Sequence, residues 1–235
     1  MSSPLPEGRS VDIARVLHDA RLGDLRTLTE PRAPFDALAA PSRRLFQELA
    51  DRKIDYLLVG GMAMLQYVGG RNTRDIDVII ALPDLESLPG LIVLSHDGDF
   101  ARADYDGVQV AALLVTNSLF RLVKAEFASR HLYGDVEIPT STEEGLVVLK
   151  LFALPSLYRQ SETARIGVYE NDIFGLLSTG SVELDHVFAV LEQNLLVADV
   201  TELRRITADI EAAARPSPQA AVSGRLIYTA PTVNE

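Results

Sequence analysis

Leu58-Val59-Gly60-Gly61 is followed, after thirteen residues, by Asp75-Ile76-Asp77-Val78. Side chains alternate between the two faces of a strand, so Asp75 and Asp77 point to one face and the apolar residues point to the other. Two like charges held this close require a cation. Carboxylate oxygens suit Mg²⁺, with Mn²⁺ as the alternative ion. The stretch therefore predicts a strand that carries a divalent-cation site with Asp75 and Asp77 as its ligands.

The glycine pair predicts a phosphate site beside that cation. A short apolar run ends at Gly60-Gly61, and residues 62–68 are expected to form a helix that begins there. Backbone N–H groups of a glycine turn can approach a phosphate without an intervening Cβ, and a helix N-terminus adds positive potential. Arg71 and Arg74 are expected to bind phosphate oxygens as well. An ion pair between Arg74 and one of the aspartates is the alternative.

The composition excludes several classes of protein. No apolar run approaches the roughly 20 residues that cross a bilayer, so we expect a soluble, cytoplasmic protein without a membrane partner. The chain has no cysteine, which excludes disulfides, thiol nucleophiles and cysteine zinc sites. Its net charge of -11 weighs against avid, nonspecific binding of nucleic acid, which needs a basic surface.

Local patterns predict an α/β fold with a mixed sheet flanked by helices and a C-terminal helical region. Asp106-Gly107 between two apolar segments is a strong hairpin signal. Ser141 and Glu144 are spaced as a capping box for the helix that carries Lys150. The predicted strands are 55–59, 75–81, 100–105, 108–116 and 135–138, and further helices are expected at 41–53, 117–130, 169–177, 183–195 and 200–214.

The 235 residues can form one large domain, or a core domain with a smaller helical one. We expect an N-terminal helical or loose extension at 1–40, a core at 41–140, a helical region at 141–215 and a tail at 216–235.

The glycine pair and the Asp-x-Asp motif together resemble the signature of the DNA polymerase β-type nucleotidyltransferase superfamily. That signature is a hydrophobic residue, Gly-Gly or Gly-Ser, a spacer, and Asp-x-Asp or Asp-x-Glu between hydrophobic residues. The longer string, which adds Met62-Ala63 and Arg71-Asn72-Thr73-Arg74, is similar to the bacterial branch that includes abortive-infection and toxin–antitoxin nucleotidyltransferases. The resemblance implies a nucleotidyltransferase-type fold with Asp75 and Asp77 as catalytic metal ligands.

The resemblance also implies roles for two residues further along the chain. In that branch, an apolar-Lys-apolar helix and a following helix with an Asp-Ile pair line the cleft, and Lys150 and Asp172 fit these places. Both are then catalytic, and Lys150 also binds the nucleotide. The alternatives are a lysine at the rim of a core and an aspartate that is a structural partner of Arg165 or Lys150.

One expected residue is absent. The superfamily usually places a third carboxylate on the strand after the hairpin, where it completes metal binding and helps to deprotonate the attacking hydroxyl. Ala111 and Ala112 stand at both candidate positions. Asp104 or Asp106 could substitute only if the strand register differs from this interpretation, because a slip of one residue moves every side chain to the other face.

Two functions remain open from the sequence. The first is a nucleotidyltransferase that binds a Mg²⁺-bound nucleoside triphosphate (NTP) and transfers a nucleoside monophosphate to a hydroxyl of an RNA end, a protein or a small molecule. The second is a catalytically impaired protein of the same fold that acts as a nucleotide-binding, protein-interaction or regulatory module. A cognate partner protein is compatible with either function.

Overall fold

A seven-stranded mixed sheet is the centre of the protein. The computed structural model describes residues 36–69, 73 and 75–214. Within them the strands are β1 (Leu57–Val59), β2 (Ile76–Ile80), β3 (Leu91–His96), β4 (Phe100–Tyr105), β5 (Val108–Leu114), β6 (Ala128–Tyr133) and β7 (Val136–Ser141). Their order in space is β3-β4-β5-β2-β1-β7-β6. The pairs β1/β7 and β2/β5 are parallel and the other neighbours are antiparallel, as a mixed sheet requires.

Helices flank the sheet and form the C-terminal region, which confirms the predicted fold class. They are α1 (Asp36–Asp51), α2 (Gly60–Met64), α3 (Leu82–Glu86), α4 (Ser118–Glu126), α5 (Glu143–Arg159), α6 (Thr163–Leu177), α7 (Leu184–Glu192) and α8 (Val197–Ala214). Helix α1 contacts β5 and β7, and α5 contacts the three helices that follow it. Among the described residues, no helix has the length and apolarity that crossing a membrane requires.

The hairpin between β4 and β5 is confirmed, and its turn fixes the register. Asp106 and Gly107 have φ values of 52° and 80°, the left-handed conformation that a two-residue type I′ turn needs at both positions. Tyr105 therefore pairs with Val108, and every pair further along the two strands follows.

Burial alternates along β5 and shows which face of the sheet is packed. The buried residues of this strand are Val108, Val110, Ala112 and Leu114. Those between them, at positions 109, 111 and 113, are exposed or half-buried. One face of this part of the sheet thus belongs to the core, and the opposite face is partly exposed.

The structure corrects the expected helix at 117–130. Helix α4 ends at Glu126, and residues 128–133 form strand β6, which pairs with β7 around Gly134. Ser129 and His131 occupy buried positions of this strand. Polar residues on the buried face hide the alternation of apolar and polar residues by which a strand is recognised.

Two smaller differences concern an edge strand and a helix cap. The apolar run at 91–94, which is outside the strands predicted above, belongs to edge strand β3. Helix α5 is capped by Thr142, whose side chain accepts a hydrogen bond from Gly145 N at 3.3 Å, and not by Ser141. Ser141 is the last residue of β7, and its carbonyl accepts a hydrogen bond from Tyr67.

The domain boundaries stay predictions. Strand β7 reaches residue 141 and α1 begins at residue 36, so regular elements extend past the expected limits of the core on both sides. The expected tail at 216–235 and most of the expected N-terminal extension lie outside the described residues.

A buried hydrogen-bond network that includes His131 links β6 to β7 through Ser129. His131 is 5% exposed, and its Nε2 lies 3.0 Å from Ser129 Oγ, which donates to the Thr140 carbonyl at 3.0 Å. Because that hydroxyl already donates its hydrogen, it accepts one from Nε2. Within the described residues, Nδ1 is buried without a hydrogen-bond partner. Burial lowers the pKa of His131, so the folded protein holds this ring neutral.

We expect the stability of the protein to decrease as the pH falls below about 6.5, the usual pKa of histidine. The unfolded chain takes up a proton at His131 there and the folded chain does not, so acid favours unfolding. Urea unfolding midpoints from about pH 7.5 down to about pH 5 would measure the effect. His131→Gln should flatten this dependence, whereas His96→Gln, at an exposed position, should not. If the urea midpoint changes equally with pH in the wild type and in His131→Gln, the prediction is contradicted.

Candidate functional site

The glycine turn and Asp77 share one small volume. Strand β1 ends at Val59, which pairs with Asp77 of β2. Gly60 follows with φ of +65°, and Gly61 N donates to Asp77 Oδ2 at 3.3 Å. A Cβ at Gly60 would overlap the carboxylate and lie 2.6 Å from the Cβ of Asp77. Only glycine therefore satisfies both the backbone conformation and the space that Asp77 occupies.

Asp75 lies immediately before β2, two residues before Asp77. Both aspartates are half-buried. The hydroxyl of Thr73 is 3.2 Å from the carbonyl oxygen of Asp75 and 3.2 Å from its Oδ1. Thr73 is buried and fixes the orientation of Asp75. Thr73 is not among the site residues that the motifs indicate, although a threonine side chain commonly forms hydrogen bonds with groups two residues further along the chain.

The two aspartates fit a divalent cation. They supply oxygen ligands, and Mg²⁺ and Mn²⁺ accept one or two carboxylates together with water and substrate phosphates. In the described part of the chain, no group of three or more histidine, aspartate or glutamate side chains is arranged to hold a metal ion. Two carboxylates alone form an incomplete shell, which leaves positions on a bound cation for water and substrate phosphates.

Alanine occupies the place of the expected third carboxylate. Strand β5 runs parallel to β2, with Ala111 paired to Asp77 and Ala112 paired to Val78. Paired residues share a face of the sheet, so Ala111 lies on the face of Asp77 and Ala112 lies on the buried face. The position next to Asp77 therefore carries a methyl group.

The two alternative acids are not beside Asp77. Asp104 is on β4, one strand further away, and its Oδ1 accepts a hydrogen bond from Gly107 N at 3.1 Å. Asp106 is in the hairpin turn and forms an ion pair with Arg44 of α1. The register is thus the one read from the sequence, and neither acid replaces Ala111.

An arginine that the motifs do not indicate lies on the same face of the sheet as Asp77 and Ala111. Arg102 of β4 pairs with Ala111, so Asp77, Ala111 and Arg102 lie side by side on one face of three neighbouring strands. The side chain of Arg102 is exposed. The signal was present in the sequence, because counting outward from Asp106-Gly107 pairs Arg102 with Ala111.

Lys150 and Asp172 form a buried ion pair between α5 and α6. Lys150 Nζ donates to Asp172 Oδ2 at 2.7 Å, and the two side chains are 8% and 4% exposed. The same Nζ lies 4.8 Å from the centre of the Tyr169 ring. Arg165, the other suggested partner of Asp172, is exposed. The structure brings Lys150 and Asp172 together, and their catalytic and nucleotide-binding roles stay predictions.

The groups expected to bind phosphate are partly occupied. Helix α2 has five residues and ends at Met64, so it is shorter than the expected helix at 62–68. The Gly61 N–H is directed at Asp77. Arg71 and Arg74 lie outside the described residues, and their expected roles stay predictions.

Comparison with known proteins finds structural likeness only. No family model and no curated protein matches the chain. A structure of an antigenic nucleotidyltransferase-like protein from Paracoccidioides brasiliensis is 18% identical, covers 73% of this chain and 93% of its own, and has a TM-score of 0.46. ANT(2″)-Ia in complex with adenylyl-2″-tobramycin is 7% identical, covers 75% of this chain and 98% of its own, and has a TM-score of 0.40. At this similarity neither structure defines an activity for this chain. The toxin–antitoxin branch, the cognate partner and the cytoplasmic location stay predictions of the sequence.

Gly60→Ala should destabilise the protein by about 2–5 kcal/mol, since a left-handed alanine costs about 1–2 kcal/mol and overpacking costs about 1–3 kcal/mol. It should also displace the carboxylate of Asp77. Gly167→Ala is the control, because no atom lies within 4 Å of its added Cβ in helix α6. That change should stabilise the protein by about 0.5–1 kcal/mol. Urea unfolding midpoints of both variants measure these changes in stability. Equal midpoints for Gly60→Ala and Gly167→Ala would contradict the close packing of Gly60 against Asp77.

Lys150→Met should cost about 3–5 kcal/mol of folding free energy, because it leaves the Asp172 carboxylate buried without this partner. The double variant Lys150→Met/Asp172→Leu should recover most of that loss, since an apolar pair can replace a buried ion pair. Unfolding free energies measure the structural role of the pair. A double variant that is stable but has lost nucleotide affinity would establish a binding role in addition, whereas a cost below about 1 kcal/mol for Lys150→Met would contradict the predicted destabilisation.

Proposed function

We propose that the protein is a metal-dependent nucleotidyltransferase that binds Mg²⁺-bound NTP at Asp75 and Asp77, beside the Gly60-Gly61 turn. It transfers a nucleoside monophosphate to a hydroxyl group. The observation that carries this proposal is the interlock of the Gly60 turn with the carboxylate of Asp77. A glycine retained only for a tight turn does not need a carboxylate packed against it.

Charge and accessibility support the same function. Asp75 and Asp77 are half-buried, and a like-charge pair in such a place is stabilised by a bound cation. On the face of Asp77, the residues of β4 and β5 are exposed or half-buried, so a bound nucleotide could contact them. With a net charge of -11, the chain favours a compact acceptor, such as an RNA end, a protein hydroxyl or a small molecule, over an extended nucleic acid.

The residues of the chain would act by positioning. A divalent cation at this site would neutralise phosphate charge and polarise the phosphoryl oxygens. Gly61 N–H holds Asp77, and Thr73 holds Asp75, so both carboxylates are oriented before the nucleotide arrives. In the reaction, the acceptor oxygen forms a bond to the α-phosphorus, the bond from that phosphorus to the bridging oxygen breaks, and pyrophosphate leaves. The hydroxyl proton is released to water.

A catalytically impaired nucleotide-binding module is the second candidate. The observation behind it is Ala111, which stands beside Asp77 where a third carboxylate would help to activate the acceptor. This candidate has the same Mg²⁺-dependent binding and no transfer. Regulation or protein interaction would then depend on the occupied site.

Asp75→Asn and Asp77→Asn should each weaken Mg²⁺-dependent NTP binding at least about tenfold, because each removes a charged ligand oxygen. Their unfolding midpoints should stay equal to that of the wild type or rise, since one charge of a like-charge pair is lost. Calorimetric titration with a non-hydrolysable NTP gives the affinities. Asp99→Asn, at an exposed position, is the control and should bind as the wild type does. Equal affinities in all four proteins would rule out the site.

A transfer assay separates the two candidates. The protein is incubated with Mg²⁺ and each α-labelled NTP, with RNA, protein and small-molecule acceptors. Label that reaches an acceptor, and is lost in Asp77→Asn, establishes a transferase. Saturable binding without transfer establishes the impaired module.

A further inference from the structure

We propose that Arg102 binds the phosphate groups of the nucleotide above Ala111, so that the site works with one divalent cation. This inference rests on the proposed function, because it concerns the same nucleotide. It adds a phosphate-binding residue that neither the motif nor its spacing contains.

The register places Arg102 within reach of the aspartates. Asp77 pairs with Ala111, and Ala111 pairs with Arg102, so the three residues form one row across β2, β5 and β4. Neighbouring strands are about 4.8 Å apart, which puts the backbone of Arg102 about 10 Å from that of Asp77. An extended arginine side chain spans much of that distance. The phosphates of an NTP bound at Asp77 would lie between them.

The row is open at its centre. Ala111 presents only a methyl group, so no long side chain of this row stands between Arg102 and Asp77. Arg102 is exposed and forms no side-chain hydrogen bond or ion pair with the part of the chain that the structure describes. The acid on its own strand face, Asp104, accepts a hydrogen bond from Gly107 N of the turn. The guanidinium is thus available for a ligand.

Phosphate is the ligand that fits this position. Gly61 N–H is directed at Asp77, and Lys150 is buried against Asp172, so two of the expected phosphate-binding groups are engaged. A guanidinium binds phosphate oxygens through two parallel hydrogen bonds, which a lysine cannot do. Arg102 supplies this group on the same face as Asp77.

The charge of the site supports one cation. Three carboxylates with two divalent cations carry a single net positive charge, as in a two-metal site. Two carboxylates with one divalent cation and Arg102 carry the same net charge. Replacement of an acid by Ala111, with Arg102 next to it, therefore keeps the electrostatic match to a triphosphate.

The first test measures binding of a Mg²⁺-bound, non-hydrolysable NTP by calorimetry. Arg102→Ala should weaken binding at least about tenfold, and Arg102→Lys should weaken it less, since lysine keeps the charge but loses the second hydrogen bond. Arg130→Ala is the matched control. Arg130 is an exposed strand arginine at the opposite edge of the sheet, where it pairs with Glu137. Arg130→Ala removes the same charge as Arg102→Ala and should leave the affinity for Mg²⁺-bound NTP unchanged.

The second test uses the neighbouring position. Ala111→Asp should weaken binding as much as Arg102→Ala does, because the introduced carboxylate would pair with Arg102 across the strands. Stronger Mg²⁺-dependent binding in Ala111→Asp would show that the new carboxylate holds a second cation, and it would overturn the one-cation site. Ala111→Ser, which is uncharged, should bind as the wild type does. The double variant Ala111→Asp/Arg102→Ala should bind no more weakly than Arg102→Ala, since both changes remove the same interaction.

The outcomes separate this inference from the proposed function. A wild type that does not bind Mg²⁺-bound NTP overturns both. A wild type that binds, with Arg102→Ala unchanged or with Arg130→Ala equally weakened, overturns the role of Arg102 alone. Mg²⁺-bound tripolyphosphate is the final probe. A loss of affinity for it in Arg102→Ala supports contact with phosphate, and a loss seen only with NTP assigns Arg102 to the base or ribose and overturns the proposal.

Discussion

The contact between the Gly60 turn and the carboxylate of Asp77 is the constraint on which the site depends. The β1 to β2 pairing brings together the glycine turn and the Asp-x-Asp motif, which thirteen residues separate in the chain, and it sets Asp77 against the end of β1. A side chain at Gly60 would occupy the space of that carboxylate. The turn, the start of α2 and the direction of Asp77 are therefore fixed together. A metal site needs ligands that are oriented before the ion binds. Because the Gly60 turn orients Asp77, the Asp-x-Asp motif is a candidate metal site.

The register of the hairpin between β4 and β5 determines which side chains lie in the row of Asp77. Two left-handed residues at Asp106-Gly107 allow one pairing of β4 with β5, and the parallel pairing of β5 with β2 carries that register to the site. The result is a row of one carboxylate, one methyl group and one guanidinium. Compared with the superfamily pattern, which has a third carboxylate, this row has one metal ligand fewer. Under the proposed function, an arginine takes the place of an acid and its cation, and the net charge that faces the phosphates stays the same.

The helical region is tied together through a buried charge. Lys150 and Asp172 are both buried, and each charge compensates the other. Removal of either one would leave the other charge in the interior without this partner, which is strongly destabilising. The Tyr169 ring beside Lys150 adds a face with negative potential. The pair joins α5 to α6 with a definite geometry, and that geometry holds whether or not the lysine also contacts a nucleotide. The resemblance therefore identified two residues that belong together, and the tertiary structure supplied a physical reason for their proximity.

The sequence by itself determined the features that depend on local periodicity and local backbone chemistry. It predicted the α/β class, the Asp106-Gly107 hairpin, the strand that carries Asp77 and the C-terminal helices, because alternation, turn residues and helical spacing lie within a few residues of one another. It was wrong about β6, where Ser129 and His131 are polar yet buried, and it gave α2 too great a length. Only the tertiary structure decided that Gly61 N–H is directed at Asp77, that Lys150 pairs with Asp172, and that Arg102 stands across from Ala111 in the row of Asp77. These facts depend on contacts between strands and helices far apart in the chain, and a propensity carries no information about which distant segment will lie beside it.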